Sequence, residues 1–289
     1  MRAVQNVSAG KSSSAAARRM VQLLFGVAVA AGFLLPIVWL VAGSLRPGNE
    51  IFTSLDPLSI GTFIPPRPTL ANYGSALGGP FRTGLINSIV VAACTVFVGL
   101  LVCAAAAFAL SAIQWRGREV VFAIIVFSFL VPEEVVAVPL SAIFARAGLQ
   151  NTYIALIMPF VGNGIVIFLL RQFFLAIPRS LIEAAQVDGA GWLTIFLQIF
   201  LPLSRPPLIA AGLILFNGQW QAYLWPLLVT TREDMFLAPI TLGLMVGQYS
   251  SDYGQIFAAS TILSLIPAVI LLGFQRFFTD SVAMSGVKE

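Results

Sequence analysis

Histidine is absent from the 289 residues, and cysteine nearly so, with only Cys94 and Cys103. Without an imidazole, catalytic triads built on His and His-ligated metal sites are excluded. The two thiols stand on one apolar stretch, where nine residues of helix rise about 13 Å, too far for a disulfide. They read as packing residues. Charge is also scarce: Asp, Glu, Lys and Arg make up 10% of the chain, with a formal balance of +4. The basic residues are scattered between apolar segments and form no stripe, so the pI near 9.4 does not point to nucleic acid. What fills the chain instead is apolar, 58% of residues with a mean hydropathy of +0.93. That composition belongs to an integral membrane protein.

The run from Met20 to about Val41 is too long for the core of a signal peptide and lacks a clear cleavage site, so it reads as a retained first span. Further runs predict spans at about 86–110, 119–143, 152–174, 203–229 and 254–278. The fold class is therefore all-α, a polytopic membrane protein with about six transmembrane helices. Residues 1–19, rich in Ser and Ala, read as a flexible cytoplasmic tail, 20–280 as the transmembrane domain and 281–289 as a C-terminal tail. A Pro- and Gly-rich segment at 45–84 reads as a long external loop. Of the 16 Lys and Arg, only Arg46, Arg67, Arg82, Arg146 and Arg232 fall in the loops on that side. The other eleven lie in the N-terminal tail, at 111–118, at 171–205 and toward the C-terminus, which would place both termini in the cytoplasm. Gly10-Lys11-Ser12 imitates the end of a phosphate loop, but Gln5 stands where the first Gly is required and no strand precedes it. No nucleotide site of the chain's own is expected.

One polar stretch, Leu181 to Pro202, interrupts this apolar sequence. Pro178 suits the start of a helix, and Ser180 with Glu183 has the spacing of a capping box. Asp188-Gly189 breaks that helix. Trp192, Ile195, Phe196 and Ile199 then share the face of a second one, which Pro202 is expected to end. Periodicity alone would make this an amphipathic connector lying on the membrane surface. The fixed positions say more: Glu183-Ala184-Ala185, Gly189, and Ile199-Phe200-Leu201-Pro202 resemble the EAA loop of the membrane subunits of binding-protein-dependent ABC importers.

Other segments extend the resemblance, in order, toward the maltose-type carbohydrate permeases. They are Pro68-Thr69-Leu70 with Asn72-Tyr73, Asn87-Ser88, Gly148-Leu149 with Asn151-Thr152, Arg171-Gln172-Phe173-Phe174, Trp225-Pro226-Leu227, Gln275-Arg276-Phe277-Phe278 and Gly286-Val287-Lys288. Two departures stand out: Trp220-Gln221-Ala222 replaces the family's Trp-Asn-Glu, and the tail ends Lys288-Glu289. The resemblance implies a non-catalytic permease subunit in a prokaryotic plasma (inner) membrane. It would form half of a pore with a second permease subunit, bind no cofactor itself, and couple to a cytoplasmic ABC ATPase dimer that holds ATP. A solute-binding protein outside would deliver a sugar. The cytoplasmic EAA coupling loop, residues 175–202, would carry Glu183, Ala184, Ala185, Asp188, Gly189, Ile199, Leu201 and Pro202 to the ATPase.

Polar groups at bilayer depth usually face a cavity or the bundle interior. Glu133 and Glu134, between Pro132 and Pro139, either line such a path or are solvated at the external interface. Asn217, Trp220 and Gln221 are spaced to share a helix face. An aromatic plate with two amides suits a sugar, and amides equally serve as glue between helices. An ion-coupled secondary transporter would instead need inverted repeats and broken helices with ionisable groups at mid-membrane. No repeat is visible, and Glu133 and Glu134 alone could supply such groups. A permease for a non-sugar solute is the other alternative.

Overall fold

The computed structural model describes residues 5–52, 60–246 and 252–286, so Val287, Lys288 and Glu289 of the tail motif lie outside the described residues. The chain divides into two compact units, residues 1–75 with 252–261, and residues 76–251 with 262–289.

In the first unit, α1 (Gln5–Ser44) contains an apolar span, Arg18–Ser44, with none of its most hydrophobic window buried. The segment expected as a flexible tail is helical from Gln5 onward, because its Ala-rich residues favour helix and no proline separates them from the span. The end of α1 is tied down by the Asn72-Tyr73 pair. Asn72 donates from Nδ2 to the carbonyls of Ser44 (2.8 Å) and Arg46 (2.6 Å), and Tyr73 Oη shares a hydrogen bond of 2.7 Å with Ser44 Oγ. The Arg46 guanidinium reaches back to the Gly61 carbonyl. The 45–84 segment thus holds local structure, including α2 (Ala71–Gly78).

The second unit is built on α3 (Pro80–Ser111), a helix apolar on every side. It starts before Asn87-Ser88, which had marked the expected boundary, since those two residues work inside the helix. Asn87 Nδ2 donates to the carbonyls of Asp234 (2.8 Å) and Phe236 (3.0 Å), and its Oδ1 accepts from Tyr153 Oη at 2.8 Å. Ser88 Oγ accepts from the Ala238 amide at 2.8 Å. One helix turn away, a Cβ on Gly84 would stand 2.6 Å from Thr241 Oγ1, so the chain from Ala238 crosses α3 only over a glycine.

Around α3 the spans are broken. The pair α4 (Arg118–Ser128) and α5 (Glu133–Arg146) bends by 99°, and α6 (Tyr153–Val161) with α7 (Gly164–Leu175) by 43°. Pro132 holds Val131 out of the helical region and ends α4. Gly162 ends α6, and Asn163 caps α7 by accepting from the Val166 amide at 3.1 Å. After α8 (Arg179–Val187), the segment Trp192–Leu203 and α11 (Arg205–Trp220) bend by 85°. That segment comprises α9 (Trp192–Ile195), a π turn at Phe196–Phe200 and α10 (Leu201–Leu203). The fifth span breaks again at Gln221–Tyr223 before α12 (Leu224–Val229); α13 (Ala238–Leu244) and α14 (Tyr253–Gly286) complete the order. Among the described residues three helices are long and apolar enough to cross a membrane, and the count reaches six when each bent pair is one span.

Candidate functional site

The polar stretch forms two helices joined by a tight turn. At the end of α8, Gly189 has φ +82°, its amide donates to Gln186 (3.0 Å), and the Ala190 amide reaches Ala185 (2.9 Å). These two bonds are the paired closures of a Schellman end, and they need a left-handed residue where Gly189 stands. The capping box does not form: Pro178 is the N-cap and α8 has no side-chain cap, because Ser180 already sits in the first turn.

Burial divides the EAA residues. Ile182 and Ala185 pack onto the core of Phe108, Phe174, Ile195, Phe196 and Phe200, so Ala185 is an anchor of the loop, where close approach to a partner had been expected. Glu183, Ala184 and Asp188 are exposed, and Val187 is 88% exposed. Glu183 has no hydrogen-bond or ion-pair partner among the described residues. Beside it, Arg179, Gln186, Gln114 and Trp192 line a cavity of about 240 Å³.

Pro202 does not end the second helix. It lacks the N–H that an α-helix needs, and the chain widens into a π turn in which the Leu201 amide bonds to Phe196, five residues back. The helix runs on to Leu203, and the widened turn aims Ile195, Phe196 and Phe200 at the core while Ile199 and Leu201 are half-buried.

Arg171 was overlooked in the sequence except as part of a motif. Buried at 7% exposure, it donates from Nε to the Leu110 carbonyl (3.1 Å) and from Nη2 to both carboxylate oxygens of Glu119 (2.8 and 2.9 Å). Its guanidinium lies 3.9 Å over the Phe122 ring. One side chain thereby joins the ends of α3, α4 and α7 just ahead of the coupling loop.

Glu133 and Glu134, both exposed, open α5 and line a cavity of about 410 Å³. The breaks of α4–α5, α6–α7 and α11–α12 all meet there, contributing Phe129, Phe160, Asn163 and Trp225. The other predicted group separates. Trp220 is 3% exposed, stacks on Phe216 and donates from Nε1 to the Leu263 carbonyl at 3.1 Å. It points away from Asn217 and Gln221, which are exposed and bonded to each other at 2.8 Å. Gln219, which the sequence reading passed over, is buried and accepts from Thr95 Oγ1 at 3.0 Å. Residues 220 and 221 lie about 100° apart on a helix, which is why one of them can face inward and the other outward.

The smaller motifs prove to be fasteners. Asn151, in the left-handed region at φ 57°, accepts on Oδ1 from the amides of Thr231 (2.7 Å) and Arg232 (3.0 Å), and Thr152 caps α6. Trp225 donates to the Ala155 carbonyl at 2.9 Å and meets Phe144 edge to face.

An all-helical body with bent spans and a pair of short helices carrying the EAA residues is what a transport subunit of the ABC-importer class would show. The model of the binding-protein-dependent transport system inner membrane component matches residues 99–283, and the chain belongs to that family. Similar relatives include the arabinooligosaccharides transport system permease protein AraQ of Halalkalibacterium halodurans, 32% identical over 88% of this chain and 90% of that one. The sn-glycerol-3-phosphate transport system permease protein UgpE of Yersinia pestis is 33% identical over 69% and 72%. Among solved structures, a bacterial ABC transporter involved in the import of the acidic polysaccharide alginate shares the fold at a TM-score of 0.80. It is 23% identical, with 91% of this chain and 96% of that one covered. The protein is thus a membrane permease subunit and not an enzyme. The helix breaks, which would have suited an ion-coupled transporter, occur here on an ABC importer subunit.

Proposed function

We propose that the chain is half of the translocation pore of a carbohydrate importer, driven by a separate cytoplasmic ATPase dimer that docks on the EAA loop. The observation that carries this is the division of α8. Ile182 and Ala185 fasten the loop to the body, while Glu183, Ala184 and Val187 are left outward on a rigid turn. A face built in this way passes a push into the spans, because the Schellman turn and the aromatic core leave no slack between loop and helix. A second permease subunit would complete the pore, and an external solute-binding protein would deliver the sugar. Both termini and the 175–202 loop are assigned to the cytoplasm by the distribution of Lys and Arg. The carbohydrate assignment draws on the AraQ relative. A polyol phosphate, as in the UgpE name, is weakened by the absence of Lys and Arg among the described residues that line the 410 Å³ cavity beside Glu133 and Glu134.

The test is co-expression with the three partners, followed by purification on the ATPase and uptake of labelled arabinotriose. Glu183→Lys should insert normally yet lose the ATPase, with a cost of about 2–5 kcal/mol if the carboxylate meets a buried cation. Wild-type association and uptake by this variant would remove the docking assignment.

A further inference from the structure

Three helix breaks that arise from different residues converge on one cavity. Pro132 sets the first, Gly162-Asn163 the second and the Gln221–Tyr223 link the third. Each break frees side chains that a continuous helix would have packed against its neighbours, and the space of about 410 Å³ lies within the range of small-ligand sites. Its walls combine two kinds of surface. Phe129, Phe160 and Trp225 supply aromatic faces, of which Trp225 is fixed by its bond to Ala155 and its contact with Phe144. Glu133, Glu134 and Asn163 supply the polar groups, and no Lys or Arg is among the lining residues described.

Aromatic faces cover the C–H side of a sugar ring, and carboxylates accept hydrogen bonds from its hydroxyls. A uronate would bring a further negative charge beside Glu133 and Glu134 with no cation among the described lining residues to offset it, so its approach is repelled. We propose that this cavity is a saccharide subsite with a charge filter, admitting neutral sugar units and turning away acidic ones. The proposal rests on the carbohydrate reading given above. It also separates this chain from the solved transporter of the same fold, whose solute is an acidic polysaccharide. Glu133 and Glu134 are the specificity-determining residues, and Asn163 orients the ring while it caps α7.

The filter can be read without knowing the natural solute. In the assembled transporter carrying Cys94→Ser and Cys103→Ala, Ile165→Cys puts one thiol on the cavity wall, at a position 46% exposed. The cationic 2-aminoethyl methanethiosulfonate should label it at least about tenfold faster than the anionic 2-sulfonatoethyl reagent. Glu133→Gln with Glu134→Gln should abolish that preference. Arabinotriose should slow labelling by both reagents, and trigalacturonate by neither. Equal rates with both carboxylates present, or equal protection by the uronate, overturn the proposal. If wild type imports no saccharide at all while the charge preference persists, the carbohydrate reading falls and the filter stands. If wild type imports arabinotriose but the sugar gives no protection, the subsite falls and the import reading stands.

Discussion

Two asparagines show how much meaning one amide can carry. Asn87 both donates and accepts, with two carbonyls on its nitrogen and a tyrosine hydroxyl on its oxygen, whereas Asn151 serves mainly as an acceptor for two backbone amides. Replacing each by Asp therefore separates the roles. Asn87→Asp strands the Asp234 and Phe236 carbonyls and should cost about 1–3 kcal/mol. Asn151→Asp keeps both accepted bonds and should stay within about 0.5 kcal/mol of wild type. Thermal unfolding of the two variants in detergent checks the difference, and similar losses in both would contradict it. Both asparagines were visible in the sequence as motif letters. What they hold was not, because their partners, Tyr153 for Asn87 and residues 229–236 for both, lie far along the chain.

At the scale of elements, the joint between α8 and α9 rests on a backbone requirement. No atom lies within 4 Å of a Cβ built on Gly189, so the cost of a side chain there is conformational alone. Asn, which tolerates the left-handed region, should preserve most ATPase association, while the β-branched Gly189→Val should lose it. Purification on the ATPase subunit distinguishes the two; equal behaviour would mean that the turn is not kept in the complex. This turn was legible because Gly after Asp at a helix end signals it locally. The spans were legible through hydropathy, which reports how apolar a stretch is and not whether it is straight. Hydropathy continues across Val131-Pro132 and Gly162-Asn163, so the breaks were hidden, and with them the cavity. Trp220 was misplaced for a related reason: spacing fixes relative angle, while the direction inward depends on where α14 passes. The π turn at Phe196–Phe200 had no signal but Pro202, which reads equally well as a terminator.

For the whole molecule, the polar groups described serve as fasteners between segments, as an exposed loop face or as the wall of a cavity. Neither the Gly10-Lys11-Ser12 sequence, in a helix rather than a strand-to-helix loop, nor the exposed loop offers a phosphate cradle. The purified chain alone in liposomes should neither hydrolyse ATP nor accumulate arabinotriose, and phosphate release at the rate of the full complex would refute that. On the proposed reading, adding the ATPase without the second permease should not restore uptake, since half a pore has no closed wall.

The broken spans also bear on how the chain is made. The insertion machinery partitions segments of about 20 apolar residues into lipid, and α4, α5, α6 and α7 each fall short of that length. Glu133 and Glu134 make α5 costlier still to release alone. Each half is too short to partition alone, so α4 with α5 and α6 with α7 are expected to enter the bilayer as pairs. In that order of synthesis the lining residues of α4 to α7 precede Trp225, the last of the cavity's aromatic faces in the chain.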